Sequence, residues 1–148
     1  MKMIKELLDG AKALGACRKT DGIDTLDKLV ALYESPQGRE FCAEHNYPIR
    51  TQWMRIVEHW GREELRMRNI YVDEPAVRCV CNPGAVVAVG SSTCLHVTLN
   101  GADEFHRIIA LQGAKVTICA ENFTVFEIIN DGTADVAITQ DSTAAQLK

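Results

Sequence analysis

A short apolar motif recurs about every ten residues through the second half of the chain. Two apolar residues separated by one residue are followed by a turn residue, as in Val87-x-Val89-Gly90. Successive anchors of the motif lie at positions 87, 97, 109, 118, 126 and 136. Apolar residues two apart share one face of an extended strand, whereas a helix needs spacings of three and four. The repeat therefore predicts a series of short β-strands joined by tight turns.

Two architectures fit this repeat. In an antiparallel sandwich the strands are joined by hairpins, and Asn100-Gly101 and Asp131-Gly132 are typical hairpin turns. In a β-solenoid two repeat units complete a coil of about 20 residues, and the corners stack. Gly101-Ala102 and Gly113-Ala114 follow their strands at the same place, as stacked corners do. This similarity favours a short β-solenoid over a sandwich.

The first half has a helical pattern, because its apolar residues recur at i, i+3, i+4 and i+7. Four short amphipathic helices are predicted. The first ends near Gly15, and the second takes Asp21 or Asp24 as its cap. The third starts with Ser35 at the N-cap and proline at the first helical position, and the fourth ends before Gly61.

Charge changes at the same place as periodicity. Residues 1–68 carry 12 basic and 11 acidic side chains, whereas residues 69–148 carry 4 and 9. The prediction is an α+β protein with a helical head over residues 1–68 and an all-β domain over residues 69–148. The net charge of −4 provides no general attraction to nucleic acid or to anionic membranes.

The cellular location is predicted from the N-terminal segment and the cysteines. Charges recur every few residues from Lys2 onward, so an apolar secretion signal is not expected and the protein is predicted to be cytoplasmic, without membrane contact. Free thiols are then expected rather than disulfides. Cys79, Cys94 and Cys119 lie among aliphatic residues and are expected to be buried.

A metal site of the cupin type was tested on the segment from Gly90 to Gly113. This segment is similar to the first metal-binding motif of cupins, with His96 and Glu104 as donors. Thr98 stands where a second histidine is required, and two donors are too few for such a site. An edge-facing histidine on a strand is the preferred interpretation.

Three residue pairs have spacings that suit zinc binding or nucleophilic catalysis. Cys42-x-x-His45 and Cys79-x-Cys81 have ligand-like spacing, but neither has a partner pair at the usual distance in the sequence. Cys94 and His96 share a strand face, yet a nucleophile needs an orienting acid and an oxyanion hole as well. We therefore assign no catalytic, cofactor-binding or metal-binding residue, and the prediction leans away from an enzyme.

The segment from Arg50 to Arg68 is a candidate nucleic-acid interface, because it contains five arginines with Trp53 and Trp60 interleaved. The arginines are Arg50, Arg55, Arg62, Arg66 and Arg68. Phosphate binding needs unpaired basic groups on one face. Glu58 and Glu63 lie at helical spacing from Arg62 and Arg66, so ion pairs on a solvated face are expected instead.

Three segments carry a resemblance to a known group. Residues 35–48 read Ser-Pro-Gln-Gly-Arg-Glu-Phe-Cys-Ala-Glu-His-Asn-Tyr-Pro and are followed by Ile70-Tyr-Val-Asp73 and by the ladder Phe105–Ala114. Over roughly residues 21–140 the chain resembles uncharacterised small bacterial proteins of the Bacteroidetes type. The resemblance implies a helical head joined to a β-ladder and no named activity. The β half also resembles, by fold analogy alone, the short β-helices of bactofilin-type scaffold proteins.

The predicted function is a non-enzymatic interaction or scaffold module. Val136-Ala137-Ile138 is expected to be the last strand, and its unpaired edge predicts self-association and a homo-oligomer. The alternatives are a cupin-like domain that binds a small ligand or metal and a helical head associated with nucleic acid. No cofactor is expected.

Overall fold

The computed structural model describes residues 2–16, 22–101 and 104–147. These residues form five helices followed by nine strands. The chain divides into two compact units, Met1–Gly61 and Arg62–Lys148. The helices are α1 Lys2–Ala13, α2 Leu26–Glu34, α3 Pro36–His45, α4 Arg50–Trp60 and α5 Arg62–Arg66. The strands are β1 Ile70–Val72, β2 Arg78–Cys81, β3 Ala85–Val89, β4 Cys94–Leu99, β5 Phe105–Leu111, β6 Lys115–Ala120, β7 Val125–Asn130, β8 Asp135–Gln140 and β9 Ala145–Leu147.

The first unit contains α1 to α4. Helix α1 buries Ile4, Leu7 and Ala11, the face predicted from their spacing, and it contacts α4. The Tyr47 hydroxyl donates a hydrogen bond to the Leu7 carbonyl, which ties the segment before α4 to α1. In the described part of the chain, none of the helices combines the length and the apolar character that crossing a membrane requires.

The helix starts agree with the prediction in one case and differ in another. The Ser35 side chain accepts a hydrogen bond from the backbone N–H of Gly38, which confirms Ser35 as the N-cap of α3. Helix α2, however, is capped by Thr25, whose hydroxyl accepts from Lys28. Asp24 instead pairs with the Lys28 ammonium group, and Asp21 lies outside the described residues. A hydroxyl one residue before the helix reaches its free N–H groups better than a carboxylate further out.

The boundary between the units lies after Gly61, whereas the change of periodicity lies after Arg68. The segment between them forms α5, a fifth helix that the sequence pattern did not predict. Leu65 of α5 is buried, and α5 contacts β1. This helix therefore belongs structurally to the β unit.

The second unit contains a parallel β-solenoid, which confirms this architecture over the sandwich. Odd-numbered strands form a five-stranded sheet in the order β1-β3-β5-β7-β9, and even-numbered strands form a four-stranded sheet in the order β2-β4-β6-β8. Every pairing is parallel. Paired residues lie 17 to 22 positions apart, so each coil contains one strand of each sheet.

The core lies between the two sheets and is built from ladders of equivalent residues. Val80, Val97 and Ile118 occupy equivalent positions in successive coils and are buried. The residues next to each of them along its own strand point outward. This alternation explains the apolar-x-apolar repeat in the four-stranded sheet, because inward positions recur every second residue. Fifteen buried residues form the core cluster: Tyr71, Val80, Val86, Ala88, Leu95, Val97, Leu99, Ile108, Ala110, Ala114, Val116, Ile118, Ala120, Phe126 and Ala144. In the five-stranded sheet the repeat residues Val87, Val89 and Ile109 lie outside the core cluster and are buried as well, so the repeat there does not mark the inward positions.

Two details of the preferred interpretation were wrong, and the hairpin turns that the alternative sandwich required are not formed. Asn100-Gly101 and Asp131-Gly132 are corners between sheets, not hairpins, because the strands on either side pair with other coils. Gly101 and Gly113 lie at opposite corners, since one follows the four-stranded sheet and the other the five-stranded sheet. The last strand is β9, which pairs with β7, rather than Val136–Ile138. The sequence of β9, Ala-Gln-Leu, is too short and polar to have shown the motif.

Candidate interaction site

The last coil leaves one strand edge of the four-stranded sheet without a neighbour among the described residues. Strand β8 pairs with β6 on one side only. The N–H groups of Asp135 and Asp141 donate to the carbonyls of Ala114, the residue before β6, and Ala120, its last residue. Because alternate residues of a parallel strand point their backbone groups to opposite sides, Val136, Ile138 and Gln140 point theirs away from β6. We call these three the edge residues.

The edge residues also occupy inward positions of the core ladders. Ile138 follows Val97 and Ile118, which are 1% and 0% exposed, yet it is 38% exposed itself. Val136 extends a second ladder of inward residues and is half-buried. Gln140 extends a third ladder and places a polar side chain there. Apolar core surface and unpaired backbone groups therefore coincide at this edge, a combination that favours the addition of another strand.

At the other end of the solenoid, the free edge of the five-stranded sheet, among the described strands, belongs to β1 and is partly covered. Arg62 of α5 donates a hydrogen bond of 3.2 Å to the Val72 carbonyl. The Val87 N–H donates to the Asn69 carbonyl, and the Asp73 N–H donates to the Val89 carbonyl. Because alternate residues of a strand point their backbone groups to opposite sides, the Val72 carbonyl points away from β3. A side chain from α5 therefore occupies part of the edge of β1. The two ends of the solenoid are not equivalent.

A buried ion pair fixes α5 to the corner that follows β1. Arg66 binds both carboxylate oxygens of Glu74, at 2.7 and 2.8 Å, and the Glu74 side chain is fully buried. Arg78 lies 3.6 Å from the same carboxylate. Hydrogen bonding to Glu74 raises the pKa of Arg66, and burial followed by the Glu74 charge raises the pKa of Tyr71. These contacts use the charges of Arg66 and Glu74 to attach α5, and they leave neither group directed at a substrate.

Two Asp-x-Thr corners fasten the last coil to the coil before it. Asp131 and Thr133 accept from the backbone N–H groups of Gln112 and Gly113. Ten residues later, Asp141 and Thr143 accept in the same way from Asn122 and Phe123. Each threonine hydroxyl also donates to its own aspartate. The repetition of Asp-x-Thr at a step of ten was a sequence signal for these corners that the analysis of apolar residues missed.

The two corner aspartates have lowered pKa values, so we expect the last coil to lose stability in acid. The hydroxyl and backbone N–H of Thr143 lower the pKa of Asp141 from its usual 3.8. Burial opposes the shift at Asp131, but bonds from Thr133 and Gln112 outweigh it and lower that pKa as well. A carboxylate with a lowered folded pKa contributes stability that is complete above the unfolded pKa. This contribution is lost as the pH falls through the folded value.

We expect the urea midpoint of the wild-type protein to fall more steeply between neutral pH and about pH 3 than that of the double variant Asp131→Asn, Asp141→Asn, since the variant has no corner carboxylate to protonate. Far-UV circular dichroism at each pH measures the midpoint. Asp135→Asn, a loss of charge outside the corners, is the matched control and should behave like wild type. Equal slopes for wild type and the double variant would contradict the expectation.

The structure does not form the cupin-type site, and it leaves the Cys42–His45 pair on a helix with a half-buried thiol. His96 is exposed on β4, Glu104 is exposed at the approach to β5, and the parallel coil differs from the antiparallel jelly roll of cupins. Cys42 and His45 lie on α3, where burial raises the pKa of the Cys42 thiol to about 12. Such a thiol is a poor nucleophile and a poor metal ligand at neutral pH.

The prediction that three cysteines are buried was wrong for two of them. Cys79 and Cys119 are exposed, as is Cys81, and Cys94 is half-buried. The alternation of strand positions explains the error, because their aliphatic neighbours take the inward positions. The five cysteines in the described part of the chain are free thiols.

The arginine-rich segment is occupied by interactions within the chain. Arg55 pairs with Glu6 at 2.6 Å, and Arg68 pairs with Glu64. Arg62 and Arg66 hydrogen-bond to Val72 and Glu74, as described above, rather than to Glu58 and Glu63. After the hydrogen bond to Glu74, the Glu63 charge also contributes to the raised pKa of Arg66. Trp53 is buried in α4 and is not available for stacking on bases. These contacts do not favour a nucleic-acid interface.

Comparison with known proteins adds no relative. The chain matches no family model, no curated protein and no solved structure. The resemblance to small bacterial proteins stays a prediction, and functional conclusions depend on the geometry of the chain itself.

Proposed function

We propose that the β-solenoid is a non-enzymatic self-association module that joins two copies of this chain through β8, along Val136, Ala137 and Ile138. The observation that carries the proposal is the coincidence, at Ile138, of an exposed core side chain and backbone groups that point away from the sheet. Addition of a strand satisfies both at once.

The difference between the ends of the solenoid favours pairing of like edges. A head-to-tail contact would bring β8 against the first coil, where Arg62 and the Arg66–Glu74 pair already hold α5. A two-fold contact uses the same edge from both copies and leaves α5 undisturbed. It also closes after two chains, so the expected assembly is a dimer rather than a fibre.

Charge selects the register of an antiparallel β8–β8 pair. A two-fold axis at Ile138 places Asp135 directly opposite Asp141 of the other copy, and like charges in that position are destabilising. An axis at Ala137 places Asp135 opposite Thr139, which has a hydroxyl to donate. Even-numbered residues of the two copies face one another in both registers, so the charge of Asp135 decides between them. We therefore propose pairing centred on Ala137.

Light scattering across a concentration series tests the proposal. We expect the wild-type mass to approach twice the 16.4 kDa of one chain. Ile138→Pro removes an N–H that points away from β6, so the ladder within the chain keeps its bonds while the dimer loses one of its own. Ile138→Lys places a charge on the same surface. Both variants should shift the mass toward one chain.

Thr117→Lys is the matched control, since it adds the same charge on the exposed outer face of β6. It should leave the mass unchanged. A wild-type mass of one chain at every concentration, or two Ile138 variants that stay dimeric, would contradict the proposal. Circular dichroism of each variant verifies that the solenoid has folded.

In this proposal the assembly carries two helical units, which is the property of a scaffold. The predicted membership in a group of small bacterial proteins fits such a role, because a helical head on a β-ladder supplies binding surface without catalytic groups. The proposal needs no cofactor.

A further inference from the structure

Four of the six cysteines surround one histidine on the outer face of the four-stranded sheet. His96 pairs laterally with Cys79. Cys94 lies two residues before it on β4, and Cys81 and Cys119 lie diagonally on the neighbouring strands β2 and β6. Free cysteine is among the residues most often buried, so exposed thiols collected around an imidazole require an explanation.

We propose that Cys79, Cys81 and His96 bind one zinc ion on this face. Thiolate and imidazole are the ligands that zinc prefers, and three protein ligands with one open position form a known type of site. His96 lies on the strand next to Cys79, about 4.8 Å away between backbones, and Cys81 lies about 6.6 Å along the same strand. Two thiolates also neutralise the charge of the ion.

The register explains why the other thiols are not ligands. Cys94 pairs laterally with Lys115, whose ammonium group repels a cation. Thr98 stands between Cys81 and Cys119 in the lateral row, which places those two thiols two strands apart. Among these described residues, Cys79, Cys81 and His96 are the three donors that lie side by side without a basic residue paired laterally with any of them.

The site forms by rotation of exposed side chains. In their present orientations, the described His, Cys, Asp and Glu side chains contain no group of three arranged to hold a metal ion. Exposed side chains change rotamer freely, whereas the strand register that brings them together is fixed by the core. His96 follows Cys79 by 17 residues, the length of this coil, so the set was invisible to a search for short ligand spacings.

Zinc alone, added to the reduced protein, tests the site by equilibrium dialysis followed by elemental analysis. We expect one zinc per chain, and weakening of the affinity by about tenfold or more in Cys79→Ser, Cys81→Ser and His96→Gln. Cobalt substitution should give sulfur-to-metal charge-transfer absorption that is lost with either cysteine.

Cys119→Ser is the matched control, an exposed thiol on the same face, and Cys42→Ser is a control in the helical unit. Both should bind zinc like wild type. Absence of binding, unchanged affinity in His96→Gln, or equal loss in Cys119→Ser would overturn the assignment. All five positions are at least partly accessible, and circular dichroism separates loss of zinc from loss of fold.

Discussion

Replacement of Phe126 by alanine should remove about 3–5 kcal/mol from the free energy of unfolding. Phe126 is fully buried on β7, and its ladder neighbours are His106 and Gln146. The change leaves a large cavity in a core only two sheets thick, where few residues can move to fill it. Whole domains have stabilities of about 5–15 kcal/mol, so this loss is a large fraction of the total.

Phe123→Ala is the control, three residues earlier in the same chain segment. Phe123 is 65% exposed at a corner with a φ of 60°. Its backbone N–H bonds to Thr143 whichever side chain it carries, so we expect a change within about 0.5 kcal/mol. Urea denaturation of both variants measures the difference. Similar losses in the two would show that the core ladder does not dominate stability.

The solenoid was predictable because the strands of the four-stranded sheet alternate between buried and outward residues, an alternation that the sequence displays. Inward residues such as Val97 and Ile118 are aliphatic in coil after coil, and turn residues separate them at nearly constant spacing. Strand direction was harder to predict. Asn-Gly and Asp-Gly are compatible both with hairpins and with solenoid corners, since both can use left-handed backbone conformations. Here Gly132 adopts such a conformation at the Asp131-Gly132 corner, whereas Gly101 does not at the Asn100-Gly101 corner.

Short elements held by contacts distant in sequence could not be predicted. Helix α5 spans five residues and has no periodicity of its own. Strand β9 spans three and pairs with β7, 20 residues earlier. Elements of this length are marginal alone and exist because a preformed core receives them. The sequence shows their residues but not the surface that selects their conformation.

The two candidate sites also differ in how far the sequence predicts them. The edge at Val136–Ile138 was predicted from the repeat, because a repeat that stops leaves a strand with one neighbour. The thiols around His96 were seen only as separate pairs, since neighbours across a solenoid lie a full coil apart in sequence. A coil length of 17 for that pair and 22 for β3 and β5 depends on corner geometry. Apolar spacing alone does not determine it.

Arg66→Ala should destabilise the β unit by about 3–5 kcal/mol, because it leaves the buried Glu74 carboxylate without its bidentate partner. Arg78, at 3.6 Å, compensates only in part. Glu64→Gln is the control: it breaks the pair with Arg68, in which the Glu64 side chain is 53% exposed, and should cost less than about 1 kcal/mol.

A double variant distinguishes the value of the pair from the cost of its isolated charge. Arg66→Met with Glu74→Leu removes both charges and keeps apolar volume, so it should recover much of the stability lost in Arg66→Ala. Urea denaturation of the three proteins supplies the comparison. If Arg66→Ala costs no more than Glu64→Gln, Arg78 alone neutralises Glu74. If the double variant is as unstable as Arg66→Ala, the pair instead positions α5 through its geometry, and Arg62 should then release the Val72 carbonyl at the edge of β1.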